Sequence, residues 1–459
     1  MKNLDRDSLN FGNGSIPRMF AKMLFPTLSG MTFSVLFLLT DGIFIGNGIG
    51  GDGLAAVNLV MPMFTVATAV GMMFAVGASV AAAIHMSQDN LKAARIIVTQ
   101  AFAAVFTSGI VLGIVLYAFP DGMLRLMGCS GSLMQMCYEY YLWFIPCALF
   151  LMIQLVGQFI IRLDGSPTYS MMVEIIPACI NIFLDWLLIF PVGWGLKGAA
   201  LATSIGAFVG AAMSMWYMFF RRRSLSFYRL KSTLTSIVLT LRNIGNMMRI
   251  GLSAFIGEFS ISVVTLVGNY VFLKHLGEDG VAAYSVTCYL IPVVFMVYSA
   301  ISQSAQPIIS YNFGAGNYNR VKNTFRLVVL SSLLFGIVVT ALMIIFVRPV
   351  VSVFLSEGSV AYDLCVEGFP IYAAGFVFLA VGLTVIGYFQ SVEKSLPATV
   401  LTLSRGMALP VAAFLILPEM VGRIGIWLAV PVAELLTVVL IVIFAAAGVF
   451  RLRSVQANK

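Results

Sequence analysis

Four residues of this 459-residue chain have the types and spacing to hold a small cation or a proton: Asp41, Asn181, Asp185 and Thr203. Two of them fall in "NIFLDWLLIF", residues 181–190, where eight of ten side chains are apolar. Asn181 and Asp185 are four apart and so share one face of a helix. A carboxylate in such surroundings costs about 2.5–3.5 kcal/mol at a bilayer centre, so a function is expected to retain it. Asp41 lies about five residues from the outer end of the first apolar stretch, Asp185 about as far from the end of the fifth, and Thr203 about seven below the start of the sixth. At a rise of about 1.5 Å per residue, these three sit at one depth within roughly a turn. Asn181 is one turn deeper. Two carboxylates, an amide oxygen and a hydroxyl at one level suit a hard monovalent cation or a shared proton. Packed closely, the carboxylates cannot both stay ionised without a counter-cation, and that coupling is what an ion-driven antiporter requires. The blander reading of Asp41 is a backbone contact near a glycine-rich helix end, "DGIFIGNGIG".

Glu174 joins Asn181 and Asp185 on one stripe, with Pro177 placed to bend that helix. Glu174 reads as a second carboxylate or an inner gate, or simply as a charge near the cytoplasmic end. In the second half, Glu258, Arg405 and Glu434 each fall well inside apolar stretches. Ions at mid-membrane normally pair, so Arg405 is expected to bond one glutamate and leave the other for a cation, unless all three form a structural triad. Tyr298, Gln303 and Gln306, in "YSAISQSAQPIISYNFG", could line a cavity or bond neighbouring helices.

These groups must be positioned by membrane-spanning helices. The chain is 60% hydrophobic and only 10% charged, against about 25% charged residues in soluble domains, and its mean hydropathy is +0.99. About twelve apolar stretches lie near 17–46, 53–84, 93–118, 133–161, 167–190, 196–220, 246–273, 280–311, 321–347, 361–390, 395–417 and 424–450. The expected fold is an all-α polytopic membrane protein of twelve transmembrane helices in two pseudo-symmetric six-helix lobes. Residues 1–220 form the N-lobe, 221–245 a basic cytoplasmic linker with an amphipathic segment along the inner membrane surface, and 246–459 the C-lobe. With the N-terminus inside, 21 Lys and Arg residues face the cytoplasm and 5 (Arg125, Lys197, Lys274, Arg348, Arg423) face outward, Arg405 lying within a span. Both termini are thus expected to be cytoplasmic, in a plasma (inner) membrane. The net charge of +8 is then a topology signal, and nucleic acid is not needed to explain it. "MKNLDRDSLNFGNGSIPRMF" shows no cleaved signal peptide; Ser15 and Pro17 read as a helix start.

The halves repeat in register. Asp52-Gly53 aligns with Asp279-Gly280, Asn90 with Asn317 under the same offset, and Gly157, Pro167 and Gly195 with Gly387, Pro397 and Gly425. Six helices per half make this a parallel repeat about an axis along the membrane normal, an arrangement of secondary transporters with a site between the halves. Two histidines and six scattered cysteines exclude a His-rich or CxxC metal centre. No P-loop, GxSxG or HExxH is present, so an enzyme is not expected and energy must come from an ion gradient. The 25 Met and 36 Phe suit a pocket for varied organic cations.

At this point the chain resembles the multidrug and toxic compound extrusion (MATE) family. The resemblance rests on "DGIFIGNGIGGDGLAAV" at the end of the first helix, "GLKGAALAT" opening the sixth, "QPIISYNFGAGN" closing the eighth and "GIWLAVPVAE" opening the twelfth. It implies a V-shaped bundle alternating between outward- and inward-open forms, exporting organic cations and amphipathic drugs in exchange for Na⁺ or H⁺, with no other cofactor. It also implies a cation site on Asp41, Asn181, Asp185 and Thr203, and Glu258 matches an acid that some members carry on helix seven. The helix-ten aspartate of some members is missing, because Phe369 to Gln390 holds no acid. A monomer is expected, with small molecules and the lipid bilayer as partners. Two other classes remain: a lipid-linked saccharide flippase, which would need an Arg- and Lys-rich cavity that the first lobe lacks, and a non-transporting scaffold or receptor, which would have little use for paired buried carboxylates.

Overall fold

The computed structural model describes residues 10–131, 133–231 and 233–452, and every regular element among them is helical. Of the bases assigned to the inner side, Lys2, Arg6, Arg453 and Lys459 lie outside the described residues. In chain order the elements are α1 (Ile16–Gly48), α2 (Gly51–Ser87), α3 (Leu91–Ala118), the short α4 (Pro120–Leu126), α5 (Leu133–Leu163), α6 (Pro167–Ile189) and α7 (Gly195–Trp216, extended by a π turn Tyr217–Arg221). There follow α8 (Leu234–Gly314), α9 (Tyr318–Ile345), α10 (Val347–Ser352), α11 (Val360–Ala373), α12 (Gly375–Ser391), α13 (Ser395–Leu403), a π turn Ser404–Ala408, α14 (Leu409–Val421) and α15 (Arg423–Ala446). Proline in the first turn starts α1 and α6, where its missing N–H costs nothing. The Asn90 side chain caps α3 by accepting from Ala93 N (3.1 Å).

Among the described residues, ten helices are long and apolar enough to cross a membrane, and the bent pair α11–α12 makes eleven. The 81-residue α8 counts there once, although a left-handed Gly277 (φ 69°) divides it into two limbs; counted separately, these limbs match the twelve apolar stretches of the sequence. On α3, Phe106, Ile110, Ile114 and Tyr117 leave the protein exposed at three- and four-residue steps, as a lipid-facing stripe does.

Two elements depart from the stretches read in the sequence. The stretch 361–390 is not one straight helix: it bends by 42° at Ala374. Pro370 cannot donate to the ladder, and side chains from other helices take up carbonyls on both sides of the break. Thr340 donates to Ala373 O (3.0 Å) and Tyr298 to Phe376 O (2.8 Å). The linker also differs from a surface-lying amphipathic segment, since helix α8 starts at Leu234 and runs without a break into the span expected at 246–273.

The chain divides into two compact units, Met1–Phe255 and Ile256–Lys459. In the first, α2 packs on α5, α5 on α7, and α1 and α7 on α6. The first turns of α8 belong to this unit because two glycines allow the backbones to touch. A Cβ on Gly77 would sit 2.1 Å from Met247 O, and one on Gly251 would sit 1.9 Å from Met73 O. Residues 222–225 are held by Asp164, at the end of α5. Its carboxylate accepts from the Tyr217 hydroxyl (2.8 Å) and from the N–H groups of Arg223 (2.7 Å), Ser224 (2.8 Å) and Leu225 (2.8 Å). In the second unit α15 packs on α11, α12 and α14, and α9 on α12. Its core gathers Phe272, Tyr284, Phe369, Phe414 and Trp427, with Phe272 stacked on Tyr284 at 4.4 Å and edge-on to Trp427 at 4.9 Å.

Candidate functional site

Helix α6 carries the centre of the site. Pro177 leaves the carbonyl of Val173 without its helical donor, and Gln154 of α5 supplies one (Nε2 to O, 2.9 Å). Half a turn later Gly206 of α7 lets that helix close on α6: a Cβ there would lie 3.2 Å from both Asn181 Cβ and Pro177 O. The close approach sets Thr203 opposite Asn181, whose Nδ2 donates to Thr203 Oγ1 at 3.3 Å while Thr203 donates to Ala199 O at 3.1 Å.

Asp185 follows one turn beyond Asn181 and faces Asp41 of α1, near enough for the two carboxyls to interact. All four residues are buried, Asp185 completely. Asp41 Oδ1, Asn181 Oδ1 and both carboxylate oxygens of Asp185 have no hydrogen-bond donor among the described residues. Buried acceptors left in this state cost free energy, and like charges this near to each other cost more. A proton or a hard monovalent cation would relieve both penalties, and the all-oxygen donor set fits either.

Sequence reasoning missed Tyr140. This buried residue of α5 lies beside Thr203 and in the field of both carboxylates. It lies about as far from the start of α5 as Thr203 does from the start of α7, so the depth argument that selected Thr203 extends to it.

Below the carboxylates is a partly open cavity of about 310 Å³. Asn181 and Thr203 line it together with Glu174, Pro177, Gln154 and Phe64. Glu174 packs flush on Gly30 of α1, where a Cβ would come within 2.0 Å of its Oε2, and it lies in the field of Arg162. Arg162 is buried in the last turn of α5 with its guanidinium 5.1 Å from the Phe159 ring centroid.

The second-half candidates do not converge on one point. Arg405 pairs with Glu434, Nε lying 3.0 Å from Oε1 and 3.2 Å from Oε2. Glu258 is half-buried on the first limb of α8 and has no hydrogen-bond or ion-pair partner among the described residues. Tyr298 bonds a neighbouring helix: it is buried, and its hydroxyl serves the break between α11 and α12. Gln303 is half-buried and Gln306 buried, further along the second limb of α8.

Comparisons with known proteins agree with this architecture. The multidrug export protein MepA of Staphylococcus haemolyticus (strain JCSC1435) is 22% identical over 431 residues, 94% of this chain and 93% of that protein. MepA of Staphylococcus aureus (strain NCTC 8325 / PS 47) is 22% identical over 409 residues, 89% of each chain. Among solved structures, the outward-facing conformation of a multidrug resistance MATE family transporter of the MOP superfamily superposes with a TM-score of 0.87 at 20% identity, covering 95% of this chain and 96% of that one. The MatE family model matches residues 26–187 and again 253–414, the same offset that aligns Asp52 with Asp279. With both halves matched, the chain belongs to the MatE family, the multidrug and toxic compound extrusion family that its sequence resembles.

Proposed function

We propose that this chain exports organic cationic and amphipathic small molecules across the plasma membrane in exchange for Na⁺ or H⁺, by alternating access. Asp41 and Asp185 take the coupling ion, with Asn181 and Thr203 beside them. The observation that carries this reading is the set of four buried acceptor oxygens without donors on Asp41, Asn181 and Asp185, at the end of a drug-sized cavity. The same Asn181 and Thr203 border the cavity and the carboxylates. An ion at the carboxylates therefore changes how these two side chains meet a molecule in the cavity, and the molecule changes ion affinity by the same factor. Ion entry from outside disfavours the bound drug, and ion release inside restores its affinity. Family membership, the twofold match to it and the multidrug export proteins among its relatives support the reading. The protein acts as a monomer with both termini cytoplasmic and does no covalent chemistry on its cargo.

The test is ethidium efflux from proteoliposomes under an imposed Na⁺ or H⁺ gradient, with wild type beside Asp185→Asn. Gradient-driven efflux that disappears in the variant is the expected result. Equal efflux from both proteins would make Asp185 structural and move the coupling site to Glu258.

A further inference from the structure

The second unit holds a separate, partly open pocket, and a guanidinium stands in its wall. Arg405 sits in the π turn Ser404–Ala408, a local widening of the helix that is frequent at functional sites. Only its Nε is spent on Glu434. Neither Nη donates a hydrogen bond to any described residue, although the side chain is only 14% exposed. Glu434 is buried against that Nε, and Gly382 seals the pair from the side, where a Cβ would lie 3.2 Å from Arg405 Cδ. The pair thus leaves a fork of N–H donors with nothing to receive them. Glu258 is not among the lining residues, so no second carboxylate claims the fork.

Apart from Ser260 and Thr265, the rest of the lining is aromatic, aliphatic or glycine. Phe295 faces the guanidinium, its ring centroid 5.9 Å from Cζ, and Tyr284, Tyr372, Phe376 and Leu379 continue the wall. A planar fork with two free Nη groups matches a carboxylate, and a guanidinium stays charged throughout the physiological range. Aromatic walls match a flat apolar body.

We propose that this cavity is a binding site for small aromatic carboxylates, with the anion on the Nη groups of Arg405 and the ring between Phe295 and Tyr372. It is a second site of opposite charge preference to the Asp41–Asp185 centre, and it does not depend on how that centre couples to ions. The test uses the purified full chain in lipid nanodiscs, without any gradient, and isothermal titration with 2-naphthoate and its neutral isostere 2-naphthamide. Wild type should bind the carboxylate at least about tenfold more tightly, equivalent to 1.4 kcal/mol. The double variant Arg405→Met/Glu434→Gln removes both charges together, so that neither is left buried alone, and it should bind the two probes equally. Gly257 lines the same cavity, and its nearest neighbour would be 3.9 Å from a Cβ, so Gly257→Leu should fold, keep the ion pair and lose both probes. Equal binding of the two probes by wild type, no binding of either, a preference that persists in the double variant, or binding unaffected by Gly257→Leu would each overturn the proposal.

Discussion

At the scale of single residues, the first unit gathers four buried acceptor oxygens without donors in one place. Asp41, Asn181 and Asp185 present acceptors without donors, and Tyr140 and Thr203 close the group. Tyr140→Phe keeps the ring in its buried slot and removes only the hydroxyl. A neutral hydrogen bond contributes about 0.5–1.5 kcal/mol. The variant should therefore fold normally and need a severalfold higher ion gradient or concentration for half-maximal ethidium efflux; an unchanged ion dependence would show that the hydroxyl takes no part. Most of this site was legible in the sequence, because carboxylates and amides stand out in apolar helices and depth can be counted from helix ends. Tyr140 did not stand out, since tyrosine in "YEYYLWF" reads as an ordinary membrane aromatic.

At the scale of elements, close backbone contact and side-chain anchors hold the helices in place. The α2–α8 crossing through Gly77 and Gly251 has no space for a side chain. Gly251→Leu should force the helices apart and destabilise the protein by about 1–3 kcal/mol, the usual cost of overpacking, seen as a lower unfolding temperature in detergent. Asp164 holds the segment after α7 through three backbone N–H groups and a hydroxyl. The aligned position in the second half is Lys394, which donates instead to carbonyls of the segment after α15, Val449 O and Arg451 O (2.7 Å to the latter). The two halves thus anchor corresponding segments with opposite charges. Asp164→Ala should free residues 222–225 and speed tryptic cleavage at Arg221–Arg223 several-fold in inside-out vesicles; cleavage at the wild-type rate would mean that other contacts suffice. Neither anchor could be read from the sequence, where Asp164 and Lys394 look like ordinary loop charges.

At the scale of the whole chain, the repeat is one of fold and not of chemistry. The two family matches share one offset, and under it Asp41 corresponds to Gly268. There the missing side chain gives space to the Tyr284 ring, whose hydroxyl would lie 2.4 Å from a Cβ. The second half therefore has an aromatic core where the first has its carboxylate pair, and its buried ion pair lies elsewhere, at Arg405 and Glu434. The distribution of Lys and Arg gives a topology prediction: a C-terminal green fluorescent protein fusion should fluoresce and a C-terminal alkaline phosphatase fusion should be inactive. The reverse pattern would place that end outside.

The apolar periodicity, the Lys and Arg asymmetry and the internal repeat sufficed to establish a twelve-helix membrane protein in two halves, because a bilayer permits few other ways to satisfy backbone hydrogen bonds. Counting residues from helix ends also placed Asp41, Asp185 and Thr203 at one depth, since rise per residue is nearly constant. Depth, however, says nothing about rotation. Only tertiary packing decided that Asp41 faces Asp185, that Arg405 chose Glu434 over Glu258, and that Tyr298 serves a helix break. Those outcomes depend on which helices approach closely enough to touch, and glycines such as Gly206 and Gly382 set that distance through side chains they do not have.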